Sequence, residues 1–136
     1  MDYDKLFEMK LKENHKYFDL FEEEMKKEGL SNKTIKRHLR NAEFYVNHFV
    51  NHYEVYDMNK GCYELDTYFG PFYKNLKPDF TVYTLKENVS SIKKFYKTMY
   101  KHNLIDHKDY DELISTIKIM MDEWLECCQE DFTIDV

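Results

Sequence analysis

Nine cations in two stretches of the chain are its strongest candidates for chemistry: Lys33, Lys36, Arg37 and Arg40, then Lys86, Lys93, Lys94, Lys97 and Lys101. Placed at about 100° per residue, the second group fills a sector roughly 100° wide on a helix. It lies away from the apolar stripe of Val82, Leu85, Val89, Ile92, Tyr96 and Met99. The first group sits opposite Ile35 and Val46, with Phe44 on the same outward face, an unusual place for a large aromatic. Cations held on such faces neutralise phosphates and release condensed counterions. They position a protein on nucleic acid without reading its bases.

Other reactive residue types lack the company their chemistry needs. His48 and His52 stand four apart, a spacing that can hold a metal on a helix, but the string His-Phe-Val-Asn-His lacks the glutamate of a metalloprotease helix. His15, His38, His102 and His107 are scattered, so no metal and no cofactor is expected. Cys127 and Cys128 are adjacent and could close only a strained ring, while Cys62 stands apart. That odd set fits neither a disulfide scaffold nor a zinc ribbon, and points to a reducing, cytoplasmic setting. The acidic runs Glu22-Glu23-Glu24 and Asp122-Glu123 read as helix exteriors with i,i+4 ion pairing. Acid–base catalysis would need a cleft to shift their pKa values. There is no glycine-rich phosphate loop and no Ser/His/Asp arrangement, so the chain reads as a non-enzyme.

The elements that carry these residues are helical almost throughout. Three glycines and two prolines in 136 residues disfavour both a turn-rich β fold and disorder. Phe7, Leu11, Phe18, Phe21 and Met25 mark a first helix, or two broken near Asn14, ending at Gly29 as a left-handed cap. Ser31 caps a second, whose stripe of Ile35, Leu39, Ala42, Val46, Phe49 and Tyr53 steps by four and three. It is expected to run to about residue 53, roughly 33 Å. Residues 54–62 read as a loop. A shorter third helix carries Leu65, Phe69, Phe72 and Leu76, kinks at Gly70-Pro71 and stops at Lys77-Pro78-Asp79. The fourth helix is expected to begin between Asp79 and Thr84, and Thr84 to Glu87 has capping-box form. Asp109 to Glu112 is a second such box and opens the fifth helix, striped by Tyr110, Leu113, Ile117, Met121, Trp124 and Cys128. Residues 130–136 are expected to fray. The reading is an all-α, compact bundle of four to five helices in a single domain, 1–136. At this length folding buries roughly two-thirds of the unfolded surface. No run approaches the roughly 20 apolar residues of a membrane span, and the polar start lacks a signal sequence, so no membrane partner is expected.

Net charge is −6, yet its distribution is uneven. Residues 1–30 hold 6 Lys/Arg and 9 Asp/Glu, residues 31–105 hold 12 and 7, and residues 106–136 hold 2 and 10. A basic middle between acidic ends points to a charged partner, and the acidic fifth helix is expected to restrain the basic segment.

Two segments carry a family resemblance. One runs Gly29-Leu30-Ser31-Asn32-Lys33-Thr34-Ile35 and on through KRHLRNAEFYVNHF. The other is Thr84-Leu85, then Ser90-Ser91-Ile92-Lys93-Lys94-Phe95-Tyr96-Lys97, closing on His102-Asn103-Leu104-Ile105. Over roughly residues 15–105 they resemble the N-terminal core-binding, SAM-like domain of tyrosine recombinases and phage integrases. The resemblance implies that the second and fourth helices approach double-stranded DNA. Asn103 stands where that family has glycine before Leu-Ile, and residues 106–136 form an acidic helix and tail in place of an interdomain linker. By analogy with members that pack an extra helix on a neighbouring protomer, this segment is a candidate element for a homo-oligomer or a protein partner.

The resemblance implies a non-catalytic DNA-binding-type domain, accessory to or derived from a mobile element. The alternative is a protein-interaction module acting through the fifth helix. Strand transfer in that family needs several arginines, a lysine, histidines and a nucleophilic tyrosine, whereas Arg37 and Arg40 are the only arginines here and share one helix. The purified chain is therefore expected to form no covalent adduct with DNA. A denaturing gel of protein incubated with labelled duplex checks this, and a shifted, protease-sensitive band would overturn it.

Overall fold

Side-chain caps set where each long helix begins. The Asp2 carboxylate accepts from the Lys5 N–H at 3.0 Å and opens α1, Tyr3–Lys27. These features come from a computed structural model that describes residues 2–72 and 81–134, with side chains for 2–70 and 81–128. The break considered near Asn14 does not occur. Asn14 is buried and donates to Asn47 Oδ1 at 2.8 Å, so a polar residue inside α1 is tied to the next helix. Gly29 has φ +80, the left-handed turn expected of it, and Leu30 N–H reaches back to Met25 O at 3.2 Å. Ser31 Oγ then accepts from Thr34 N–H at 3.2 Å and starts α2, Asn32–Glu43.

The second helix departs from its expected stripe after Glu43. Residues Phe44–Phe49 form a π-turn, with Val50 N–H bonded to Tyr45 O at 3.0 Å. The inserted residue rotates the remainder of the segment, so Tyr45, Val46, Phe49 and Val50 are all buried. Tyr53, expected on the stripe, is 84% exposed. Asn51, wholly buried, closes the segment by donating to Asn47 O at 3.2 Å and accepting from Tyr56 N–H at 2.8 Å.

Part of the expected loop is a 3-10 helix, Met58–Tyr63. It leads into the short α3, Leu65–Thr67, and a π-turn, Tyr68–Phe72, in which Gly70 has left helical geometry (φ −86, ψ −116). The kink expected at Gly70-Pro71 is there. Leu76 and the Lys77-Pro78-Asp79 stop lie outside the described residues.

Helix α4, Val82–Lys101, starts inside the expected Asp79–Thr84 window, with its N-cap at Thr81 rather than Thr84. Thr81 and Thr84 form the box, with Thr84 N–H to Thr81 Oγ1 at 3.2 Å and Thr81 N–H to Thr84 Oγ1 at 2.8 Å. Glu87 is thereby left for another role. The turn after α4 places Asn103 at φ +59, a left-handed position that asparagine tolerates in place of glycine. Helix α5, His107–Ile134, is capped by Asp106 and Asp109 rather than Asp109 and Glu112, with Asp109 N–H to Asp106 Oδ1 at 2.8 Å. Helix continues through Ile134 where fraying was expected from residue 130.

The result is all-α, with five α-helices and no strand among the described residues. One cluster of buried apolar side chains draws on every helix, including Phe21, Ile35, Leu65, Leu85, Ile92, Tyr96, Leu113 and Trp124. Of the expected stripe residues, Phe7, Leu11, Leu39, Val82, Tyr110, Ile117 and Met121 are only partly buried. Helix α4 is central, packing on α1, α2 and α5. Trp124 ties α5 to the short helix, its ring 5.0 Å from that of Phe69 and its Nε1 donating to Asp66 Oδ1 at 3.1 Å.

Gly61 is where this core tolerates no side chain. A Cβ there would lie 2.0 Å from Tyr96 Oη and 3.0 Å from the Tyr45 ring. Those two buried phenols donate to Met58 O at 2.7 Å and Gly61 O at 2.5 Å, pinning the 3-10 helix from both sides. Overpacking of this kind typically costs ~1–3 kcal/mol. Gly61→Ala should lower stability by about that amount in urea unfolding. Adding Tyr96→Phe, which removes the obstructing hydroxyl, should recover part of it, and a neutral Gly61→Ala would refute the pinning.

Candidate nucleic-acid interface

The nine cations are positioned by how α2 rotates against α4. Ser91, wholly buried on α4, sets that rotation. Its hydroxyl meets Glu87 O at 3.0 Å and His38 Nδ1 at 2.7 Å, and accepts from Asn41 Nδ2 at 3.1 Å. Beside this buried group, Arg37 Nε lies 3.2 Å from Glu87 Oε1, paired by charge though not aligned as a hydrogen bond. Residues 37, 38 and 41 of α2 therefore meet residues 87 and 91 of α4 along one seam.

The seam decides which cations face water. By helical rotation, Lys33, Lys36 and Arg40 lie beyond the contact edge of α2, and Lys86, Lys93 and Lys97 beyond that of α4. All six are exposed and carry no ion pair among the described residues. The two basic sectors flank the solvent side of the same seam. The other three expected cations are paired. Arg37 meets Glu87, Lys94 Nζ reaches Glu28 Oε2 at 2.8 Å, and Lys101 Nζ reaches Glu24 Oε2 at 3.1 Å.

The carboxylates that meet this face come from α1 and α4, not from the acidic fifth helix. Glu24 was expected on a helix exterior. It is buried and accepts from His102 Nε2 at 2.9 Å as well as from Lys101, and these bonds hold its pKa below the ordinary carboxylate value. Among the described residues, no α5 carboxylate pairs with any of the nine cations. Asp109 is buried instead, accepting from Tyr63 OH at 2.6 Å and Asn59 Nδ2 at 3.4 Å, and it pushes the Tyr63 phenol up to about 12. Asp111 pairs with His107 at 2.9 Å. The restraint expected of the C-terminal helix therefore has no contact to act through in the described residues.

The remaining reactive residues are accounted for by packing. His48 lies inside the π-turn and His52 beyond its end. His48 lies against the rings of Phe7 and Phe44, and His52 Nδ1 meets Phe49 O. No group of three or more His, Cys, Asp or Glu among the described residues could hold a metal. Cys62 is buried and burial raises its thiol far above the ordinary value, Cys128 is buried, and Cys127 sits at the boundary. Phe44, expected to stand outward, tilts onto His48 and Tyr68 at 5.7 and 6.4 Å between centroids. No helix among the described residues is long and apolar enough to cross a membrane.

His38 and Ser91 hold the two helices of the candidate face together and were not found by helical spacing, since neither belongs to an apolar stripe or a charged sector. A histidine, an asparagine and a serine on the inner edges of two helices gave no pattern to find. Burial lowers the His38 pKa from its ordinary 6.5, with Arg37 and Lys94 adding to the shift while Glu87 and Glu28 oppose it. The unfolded chain then binds a proton that the folded chain refuses, so stability is full above about 6.5 and falls as pH drops through the depressed value. Thermal unfolding should show a lower Tm at pH 5.5 than at pH 7.5. His38→Asn should be less stable at pH 7.5 and nearly flat across that window, and an unchanged slope in the variant would remove His38 as its source.

No protein-family model matches the chain, and neither a curated protein nor a solved structure matches it.

Proposed function

We propose that this chain is a non-catalytic module that grips the backbone of double-stranded DNA through α2 and α4, resembling the core-binding half of a tyrosine recombinase. It would serve as an accessory to a mobile element or derive from one. The observation that carries the reading is the arrangement of Lys33, Lys36, Arg40, Lys86, Lys93 and Lys97, exposed on one side of a single seam. Long cationic side chains from two helices can there follow adjacent phosphates. The left-handed Gly29, the Ser31 cap and the left-handed Asn103 support the SAM-like comparison, because they put turns where that family has them.

The ion pairs at the seam's edge fit the same reading. Lys94–Glu28 is partly exposed, and pairs of this kind contribute only ~0.2–1 kcal/mol. An approaching phosphate can displace the Glu28 carboxylate at little cost. The acid that competes with DNA is then Glu28, one helix away, and α5 acts only through its long-range field within about 8 Å at physiological salt.

A second reading rests on α5 itself. Ile119 is 74% exposed on that acidic helix, which would suit a protein partner or a second copy.

Fluorescence polarisation with a short generic duplex separates the two. With about four phosphate contacts, affinity should fall roughly a hundredfold between 50 and 200 mM salt. Lys36→Ala/Lys93→Ala/Lys97→Ala should abolish binding and Glu28→Gln should strengthen it about two- to fivefold. Neutralising Asp122, Glu123 and Glu126 should have a smaller effect. No binding at low salt would discard the DNA reading and leave the interaction module.

A further inference from the structure

Two large aromatics fall in the basic sectors of α2 and α4, and the fold treats them oppositely. Phe44 is drawn against His48 and Tyr68. Tyr83, in the first turn of α4, is 67% exposed and makes no ring contact among the described residues. At about 100° per residue it projects between Lys86 and Lys94, on the same side as Ser90 and Lys97. The other aromatics of α4 have gone elsewhere: Phe95 and Tyr96 are wholly buried, and Tyr100 stacks on Tyr110 at 4.7 Å. Tyr53 is more exposed still, but it leans on His52 at 4.1 Å beyond the end of the α2 π-turn.

The surroundings of Tyr83 are those of a recognition residue. The Glu87 carboxylate holds the Tyr83 hydroxyl, raising the phenol's pKa, and also meets Arg37, so the ring is tied beside the seam. Burying that ring against the bundle would have been favourable by ordinary apolar transfer. Instead the ring stays in solvent, in a helix sector that also carries Lys86, Lys94 and Lys97, and an exposed aromatic beside cations is the pairing that single-stranded nucleic acid binders use. Cations hold the sugar–phosphate chain while an aromatic face takes an unpaired base, with little regard to which base it is. An intact duplex offers no such base, because its bases are stacked on one another.

We propose that Tyr83 is a stacking platform for an unpaired nucleobase, so that the module prefers DNA with a single-stranded end or gap beside a duplex over unbroken duplex. This deepens the proposed DNA reading and rests on it. Lysines on the α2/α4 face would hold the duplex backbone, and Tyr83 would cap the point where pairing stops.

The test compares three labelled probes by fluorescence polarisation at low salt: a blunt duplex, the same duplex with a few unpaired nucleotides at one end, and the single strand alone. The wild-type chain should favour the overhang probe over the blunt one by about fivefold or more. Tyr83→Ala should bring that ratio to about one, and Tyr83→Phe, which keeps the ring, should retain it. Lys93→Ala/Lys97→Ala should weaken all three probes and keep the ratio. A wild-type ratio near one, or a Tyr83→Ala ratio unchanged from wild type, overturns the stacking role while leaving backbone binding in place. Failure of the wild-type chain to bind any probe overturns the DNA reading and this inference together. Because Tyr83 is exposed, the melting temperature of Tyr83→Ala should match wild type, confirming that a lost ratio does not reflect lost folding.

Discussion

Ser91 Oγ is a wholly buried hydroxyl with three partners, and the geometry of the candidate face depends on it. Its bond to Glu87 O lies within α4, but the buried His38 and Asn41 side chains of α2 reach it only at one rotation, and an unpaired buried polar group costs on the order of 1–3 kcal/mol. The rotation of α2 against α4 that pairs them is therefore favoured over neighbouring rotations that would strand them. Apolar packing alone is permissive, because a stripe of Ile35, Ala42 and Val46 can slide over Leu85, Val89 and Ile92 with modest loss. Hydrogen bonds between Ser91 and both His38 and Asn41 have direction and cannot slide. Once they are made, Arg37 must face Glu87, and Lys33, Lys36 and Arg40 must face outward on the same side as Lys86, Lys93 and Lys97.

Apolar periodicity made most of this fold readable in advance, and its failures share one cause. Helix number, the Gly29 and Ser31 turn, the Gly70 kink and the burial of Ile35, Val46, Leu85, Ile92, Tyr96 and Trp124 follow from spacing and turn chemistry. What spacing could not supply was any departure from 3.6 residues per turn. The π-turn at Phe44–Phe49 carries no local signature, and it is rewarded by a distant event, the Tyr45 phenol reaching Gly61 O. The segment then closes at Asn51, and Tyr53, beyond it, is exposed. Which residue caps α4 and α5 is a matter of turn chemistry and not of periodicity: Thr81, inside the expected window, and Asp106 offer caps three residues before Thr84 and Asp109, and the path of the preceding chain decides between them.

The cations of the candidate face were legible as sectors, because solvent exposure leaves charged side chains on the side that packing does not use. Their pairing was not legible. Lys94 and Lys101 look equivalent to Lys93 and Lys97 in sequence, but the C-terminal turns of α1 bring Glu28 and Glu24 beside them. Glu24 shows how strongly context overrides type: a member of a run of three glutamates becomes a buried acceptor for Lys101 and His102 because α1 ends against the end of α4.

Net charge is a poor guide to such a molecule, since a phosphate approaching the seam responds to the charges within a Debye length, not to the total. The seam presents six exposed cations on one side. The carboxylates closest to it, Glu28 and Glu87, are already engaged with Lys94 and Arg37 and so repel less than free carboxylates would. The acidity of α5 is partly internal: Asp109 is buried under Tyr63 and Asn59, and Asp66 on α3 holds Trp124. Carboxylates committed to hydrogen bonds within the bundle hold the helices together on one flank, and the opposite charge is left exposed where α2 and α4 meet. A chain with net charge −6 can in this way present a local cationic surface.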